Sequence, residues 1–397
     1  MTKVRNRKMT YCVLLMIGMI VMWLFHACAP VREFMHWKTF NGIASINGGR
    51  PAFNPAKKTV IIIADNEGTE IFDLMAPYYL FNATEKANVY IVARDKTPVI
   101  LRKGLFLMPD FSFGEFDSMG IHPQVIVIPN LSAMDARHQN QEILGWIKKQ
   151  YRDTTFVLSV CDGALTAAAT GIYDGKPLTT HASDFAAISK QFNKPLWVNN
   201  IRVTQSGRLF STAGVSNATD GALSIIDTLF GRPTMLRVSK MIHYALSADR
   251  NAHKSIAIDF GDKAAIGKKV LFGKNRQVGV LLQDGANELE LAAVLDTYNR
   301  TFPKSLESIS LTNQSIRTGY GLTLFPTASL DKFHPTELHV LCPDKLPSTS
   351  HHLFDPSILV KYEQQSSQYI IDVCLSRIRL QYGLRYTEVV KRLLDYN

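Results

Sequence analysis

The sequence predicts an α/β protein: a flavodoxin-like parallel sheet sandwiched by helices, duplicated in tandem with a truncated second copy. Three observations carry this. Short continuous apolar runs alternate with segments of helical period, as in TVIIIAD (Thr59 to Asp65) followed by EIFDLMAPYYLFNAT, and such runs suit strands buried on both faces. A second apolar run ends at Cys161, a glycine follows two residues on, and an alanine-rich helical stretch begins at once, the strand–turn–helix pattern of a nucleophile elbow. Finally, QVGVLLQDGANELELAAVLDTYN echoes TVIIIADNEGTEIFDLMAPYYLFN, placing Asp73 on Glu290, Phe81 on Tyr298 and Asn82 on Asn299 at an offset of 217.

With 397 residues, 46% of them hydrophobic and 10% aromatic, the chain can bury a large core and build more than one domain. The net charge of +10 is spread over scattered Lys and Arg, with no dense basic helix beyond the N-terminus, so no nucleic-acid partner is expected. The five cysteines, at positions 12, 28, 161, 342 and 374, form neither a CxxC pair nor a Cys/His zinc spacing. No metal, no cofactor and no disulfide framework is read from them.

Taken in order, residues 1–30 read as a signal anchor. Lys3, Arg5, Arg7 and Lys8 precede an apolar run from Tyr11 to Ala29, about the length of roughly 20 residues that crosses a bilayer. The charge bias predicts a single-pass membrane protein with its folded domains on the extracytoplasmic side. Cleavage after Ala27-Cys28-Ala29 and lipidation at Cys28 stay open as alternatives. Residues 31–57, with Gly48, Gly49, Pro51 and Pro55, read as a tether. The first domain, 58–249, continues through strands at Asn88 to Arg94 and Val125 to Asn130 and an amphipathic helix at Gln141 to Tyr151 to the strand before Cys161. Beyond it come a strand–turn–strand around Ser206-Gly207, a helix over Asp220 to Phe230, and another opened by Pro233. Residues 250–275 read as a connector.

The second copy spans 276–397. Gly104-Leu105 falls on Gly321-Leu322 at the same offset, and VIVIPN falls near HVLCPD at 214. The closing helices match at 152, with Asp220 on Asp372, Gly231 on Gly383 and Tyr244 on Tyr396. The interval lost between these offsets is the one that holds Cys161 and His181 in the first copy. Cys342 and Cys374 therefore read as core residues.

VIIIADNEGTEIFDLMAP, SVCDGALTAAATGIYDGKPLTTH and STAGVSNATDGALSIIDTLFG together resemble the ThiJ/PfpI superfamily, within its group of GlxA-type regulators and isonitrile hydratases. The resemblance covers Thr59 to Tyr244 fully and Gln277 to Asn397 in truncated form. It implies that Asp73 lies beside Cys161, that Asn130 and Leu131 offer backbone N–H groups near the sulfur, and that His181 completes the site. Asp162, directly after the cysteine, is taken with Asn130 and Leu131 as a substrate-binding position. The chain departs from the pattern in three places. Asn130-Leu131 stands where many relatives have Gly-Gly, and Ala182 where an aromatic is frequent. A sheet domain stands where the regulators carry helix-turn-helix units.

These residues suit nucleophilic chemistry. A cysteine attacks as thiolate and is helped by a helix N-terminus, a base or a hydrogen-bond donor; a carboxylic acid held protonated can donate to it, and an imidazole can shuttle protons. The leading expectation is cysteine-dependent hydratase- or hydrolase-like chemistry on a small electrophilic or nitrogen-containing molecule. Cys161 is the nucleophile, Asp73 the acid/base or donor, and His181 the auxiliary. The alternative is a non-catalytic module that binds a ligand or senses redox state through Cys161. The two copies are expected to pack as an intramolecular pseudo-dimer or to support a homo-oligomer.

Overall fold

The computed structural model describes residues 29–35, 37–42, 44, 51–102, 104–133, 135–246, 252–347, 353–362 and 367–396. A short helix α1 (Ala29–Met35) precedes β1 (Lys58–Ala64), α2 (Ile71–Ala83) and β2 (Ala87–Ala93). A hairpin of β3 (Val99–Leu101) and β4 (Leu105–Met108) follows, then β5 (Phe111–Ser112), α3 (Phe113–Ser118), β6 (Val125–Ile128), α4 (Gln141–Gln150), β7 (Phe156–Ser159) and α5 (Gly163–Thr170). The first unit closes with β8 (Pro177–Leu178), α6 (Phe185–Ser189), β9 (Leu196–Trp197), β10 (Val203–Ser206), β11 (Leu209–Thr212), α7 (Ala218–Phe230) and α8 (Arg232–Met241).

Seven of these strands form one sheet in the order β10-β11-β7-β6-β1-β2-β5, parallel except for the β10–β11 hairpin. The run Val60 to Ala64 is fully buried because helices cover both faces. Gly207, at φ +60, makes the tight β10–β11 turn that the sequence places at Ser206-Gly207.

A helix α9 (Phe260–Phe272) leads into β12 (Gln277–Leu282), α10 (Glu288–Asn299), β13 (Ser305–Ser310), β14 (Ile316–Arg317), β15 (Thr323–Phe325), β16 (Glu337–Val340), β17 (Leu359–Lys361), α11 (Ile370–Tyr382) and α12 (Leu384–Leu394). The second sheet runs β13-β12-β16-β17, all parallel, the same order as β2-β1-β6-β7 in the first. Helix α9 lies in the stretch read as a connector. A capping box between Asp259 and Asp262 starts it, while Gly261 and Gly267 dilute its apolar period.

The two units share one core. Helix α2 is apolar on nearly all sides, and a helix of that kind is buried all round: the first sheet lies under one face and α10 over the other. Strand β15 pairs antiparallel with β4, joining both hairpins in one sheet ordered β14-β15-β4-β3. Tyr78 donates its hydroxyl to the carbonyl of Tyr320 at 3.0 Å, and Tyr79 meets the Tyr320 ring edge-on at 5.4 Å. At the other end of the interface Ser216 donates to the carbonyl of Asp395, and Thr219 bonds Tyr369.

The expected membrane location is corrected here. Among the described residues no helix is long and apolar enough to cross a membrane. Tyr11 to Cys28, on which that expectation rested, lies outside them, as do Cys12 and Cys28. Ala29 to Met35 packs as α1 against β13.

Candidate functional site

Cys161 sits on the turn between β7 and α5 with φ +54, a left-handed conformation that a side chain other than glycine adopts only when its surroundings impose it. The constraint is visible two residues on. A Cβ at Gly163 would lie 2.2 Å from the carbonyl oxygen of Ile128 and 2.8 Å from that of Pro129, so the first turn of α5 rests directly on the end of β6. The thiol is buried at 3% exposure but borders a cavity of about 560 Å³ shared with Glu70, Arg102, Asn130, Asp162, His181 and Arg300.

Glu70 and Asp73 stand three residues apart at the start of α2. Glu70 is the N-cap, and its Oε2 accepts from the Asp73 backbone N–H at 2.9 Å. Asp73 is wholly buried, and its Oδ2 accepts from the Asn130 N–H at 3.1 Å. That N–H, expected near the sulfur, is therefore committed to Asp73. Leu131 is buried in the core on the α4 side of the sheet, and its carbonyl accepts from Arg102 Nη2 at 2.8 Å.

Arg300 reaches the site from the second unit. It follows α10, pairs with Asp296 at 2.9 Å and lies 3.9 Å from Glu70 Oε1. Buried carboxyls thus crowd the floor beneath the thiol. Burial, then the neighbouring charge of Asp296, pushes Glu70 up to about 8 against the pull of Arg300. Burial, then Glu70, raises Asp73 well above the usual carboxylate range. Burial thus holds both toward the neutral acid.

The ionisation expected of Cys161 is reversed by the same crowding. Burial raises the thiol well above its ordinary value, and Asp162, Asp73 and Glu70 raise it further, outweighing the bond from the Asp162 backbone N–H. The resting group is a thiol.

His181 is buried and neutral, its pKa lowered chiefly by burial. Its Nδ1 accepts from the Ser183 N–H at 3.2 Å, which leaves Nε2–H to donate to the carbonyl of Leu393, 3.3 Å away on α12. Both ring nitrogens are occupied, one of them by the second unit. Asp162 precedes α5, accepts from Thr180 Oγ1 at 2.7 Å and hydrogen-bonds Asp184. Asp184 is pushed up to about 6 by burial and by Asp162.

Of the six residues singled out in the sequence, Cys161, Asp162, His181 and Asn130 line one cavity, Asp73 is buried behind it on the Asn130 N–H, and Leu131 faces away. Glu70, Arg102, Asp184 and Arg300 were missed. Glu70 had a local signal, a carboxylate three residues before Asp73 at a helix start. Arg300 had none, because its place depends on how the units pack.

The acid floor has a consequence for stability. A carboxyl such as Glu70, titrating near 4.5 when unfolded and about 8 when folded, keeps its proton in the native state across that window while the unfolded chain gives it up. Stability therefore falls as pH rises from about 4.5 to 8, by up to about 1.4 kcal/mol per pH unit for each such proton. Glu70→Gln is expected to flatten this slope in urea melts taken from pH 5 to 8.

Residues 57–228 match the DJ-1/PfpI family. The isonitrile hydratase of Pseudomonas putida is 28% identical over 173 residues, covering 44% of this chain and 73% of the hydratase. Among solved structures, a ThiJ/PfpI family protein from Pseudomonas syringae is 22% identical, covering 62% of this chain and 98% of its own, with a TM-score of 0.45. Drosophila melanogaster DJ-1beta is 18% identical, covering 48% and 99%, with a TM-score of 0.42.

Proposed function

We propose that the chain is a cysteine-dependent hydratase acting on a small molecule with an electrophilic, nitrogen-bound carbon, and that isonitrile hydration is its reaction type. The observation that carries this is Cys161, held at φ +54 on the elbow as a neutral thiol at the floor of the cavity. An isonitrile carbon needs both a nucleophile and a proton, and a thiol supplies both. The S–C bond forms, the thiol proton ends on that carbon, and a thioformimidate results. Water then adds to the C=N carbon, the C–S bond breaks, sulfur regains a proton, and the formamide leaves. One isonitrile and one water give one formamide. Glu70 and, behind it, Asp73, which burial holds toward the neutral acid, stabilise charge developing at the floor, Asp162 with Asp184 passes protons at the rim, and His181 holds the rim to α12.

The hydratase relative supports the reading through its name and its match to the part that holds the elbow. We read residues 276–397 as a degenerate second copy. Its strand order repeats that of the first unit, Gly231 and Gly383 share φ values of +88 and +81, and Tyr244–Asp220 and Tyr396–Asp372 bond alike at 2.9 and 2.7 Å. Its contribution is Arg300 and the carbonyl of Leu393.

A second reading, a ligand-binding module without turnover, is favoured by the raised thiol pKa alone, since a group that resists ionisation is a poor general nucleophile. The same property weighs against redox sensing, which proceeds through thiolate. The readings separate on formamide release from alkyl and aryl isonitriles, with Cys161→Ala alongside.

A further inference from the structure

We propose that Phe34, Met35 and Trp37 form the specificity wall of the Cys161 cavity, and that they select a ligand with a polar reacting head and an apolar ring or chain. The proposal rests on the reading of Cys161 as the group that meets the ligand. Phe34, Met35 and Trp37 line the same cavity as Cys161, although they lie more than 120 residues away in sequence. They are fastened there by both units. Phe34 stacks on Phe302 with ring centroids 4.4 Å apart, and Glu33 Oε1 accepts from the Leu306 N–H at 3.0 Å. Lys38 bridges Glu33 and Glu307 at 3.0 and 2.5 Å, and Phe40 lies edge-on between Phe106 and Phe325, 5.2 Å from each.

Trp37 is held from two sides. Its ring lies 4.4 Å from the Arg102 guanidinium, and a Cβ at Gly68 would lie 2.1 Å from the indole, so the backbone at Gly68, with φ +156, makes room for it. Met35 remains 66% exposed at the mouth, an adaptable thioether lip. Across the cavity stand Leu165, Ile188, Ile258 and Leu393. The lining thus combines two chemistries, the thiol with Glu70, Asp162 and Arg300 on the one hand and these apolar side chains on the other. A fully polar ligand would leave the apolar surface unfilled, and a fully apolar one would have no hydrogen bond to offer the buried polar groups.

The test uses the full chain and reads alkylation of Cys161 by peptide mass spectrometry at pH 9.5, with iodoacetamide and its N-hexyl and N-phenyl derivatives. Rates are normalised to those of free glutathione. The N-substituted reagents are expected to react about tenfold faster relative to iodoacetamide in the wild type, the discrimination that small apolar increments earn in a hydrophobic pocket. Trp37→Ala should abolish that preference, Met35→Ser should reduce it, and Trp37→Phe should retain most of it. An unchanged ratio in Trp37→Ala overturns the proposal, as do equal acceleration of all three reagents by that substitution and failure of every reagent to label the wild type. Because labelling needs no turnover, an apolar preference without formamide production leaves the wall in place and removes only the hydratase reading. Formamide production without the preference does the reverse.

Discussion

Deletion of residues 276–397 is expected to yield an aggregating fragment in place of a free-standing first domain. Helix α2 is buried on the side facing α10 as well as on the side facing its own sheet. Fully burying an apolar side chain of this size contributes about 1.5–3 kcal/mol, so uncovering only four of them forfeits about 6–12 kcal/mol, comparable with the whole stability of an ordinary domain. The same cut opens β4 along the edge now paired with β15, leaving a row of unpaired backbone groups beside the exposed helix. It also removes the Leu393 carbonyl from His181 and Arg300 from Glu70. Size-exclusion chromatography of the fragment, refolded at micromolar concentration, gives the answer; a monomer that unfolds cooperatively in urea would show that the units are independent.

The second large effect concerns Cys161 itself. Alkylation by iodoacetamide at pH 7 is expected to be at least about tenfold slower than for a free thiol, whose ordinary pKa is about 8.5, with the midpoint of the pH profile above 9. Burial is the main cause and is not removed by substituting a neighbour, but the charges of Asp162 and Asp73 are. Asp162→Asn and Asp73→Asn should each move the midpoint down, the former more. A midpoint at or below 8.5 in the wild type would show that the positive end of α5 outweighs the acid floor.

How much of this was legible in the residues follows from how local each feature is. The strand of Val60 to Ala64, the elbow at Cys161 and the Gly207 turn are set by short-range pattern, and they stand where the sequence puts them. The helix over Phe260 to Phe272 was hidden because glycines interrupt its period, and α1 because seven residues give too short a pattern. Within the site, Cys161, Asp73 and His181 belong to the part of the chain with a family resemblance, which is why they could be named from the residues alone. The ionisation of the thiol could not. It depends on burial and on Asp162, Asp73 and Glu70 standing close to the sulfur, while Asp296 and Arg300, which act on Glu70, arrive from a different unit. The reading of a membrane anchor rested on apolar content over Tyr11 to Ala29, and among the described residues no helix is long and apolar enough to cross a membrane.

The most direct test of the account is to incubate the wild-type chain and Cys161→Ala with a series of isonitriles, following formamide by mass spectrometry and protection of Cys161 from alkylation in the same samples. The account predicts formamide from the wild type and a loss of at least about a hundredfold in the variant, in line with removal of a nucleophile. Equal formamide from both proteins, or saturable protection of Cys161 with no product, would contradict it, and the latter would make the cavity a binding site.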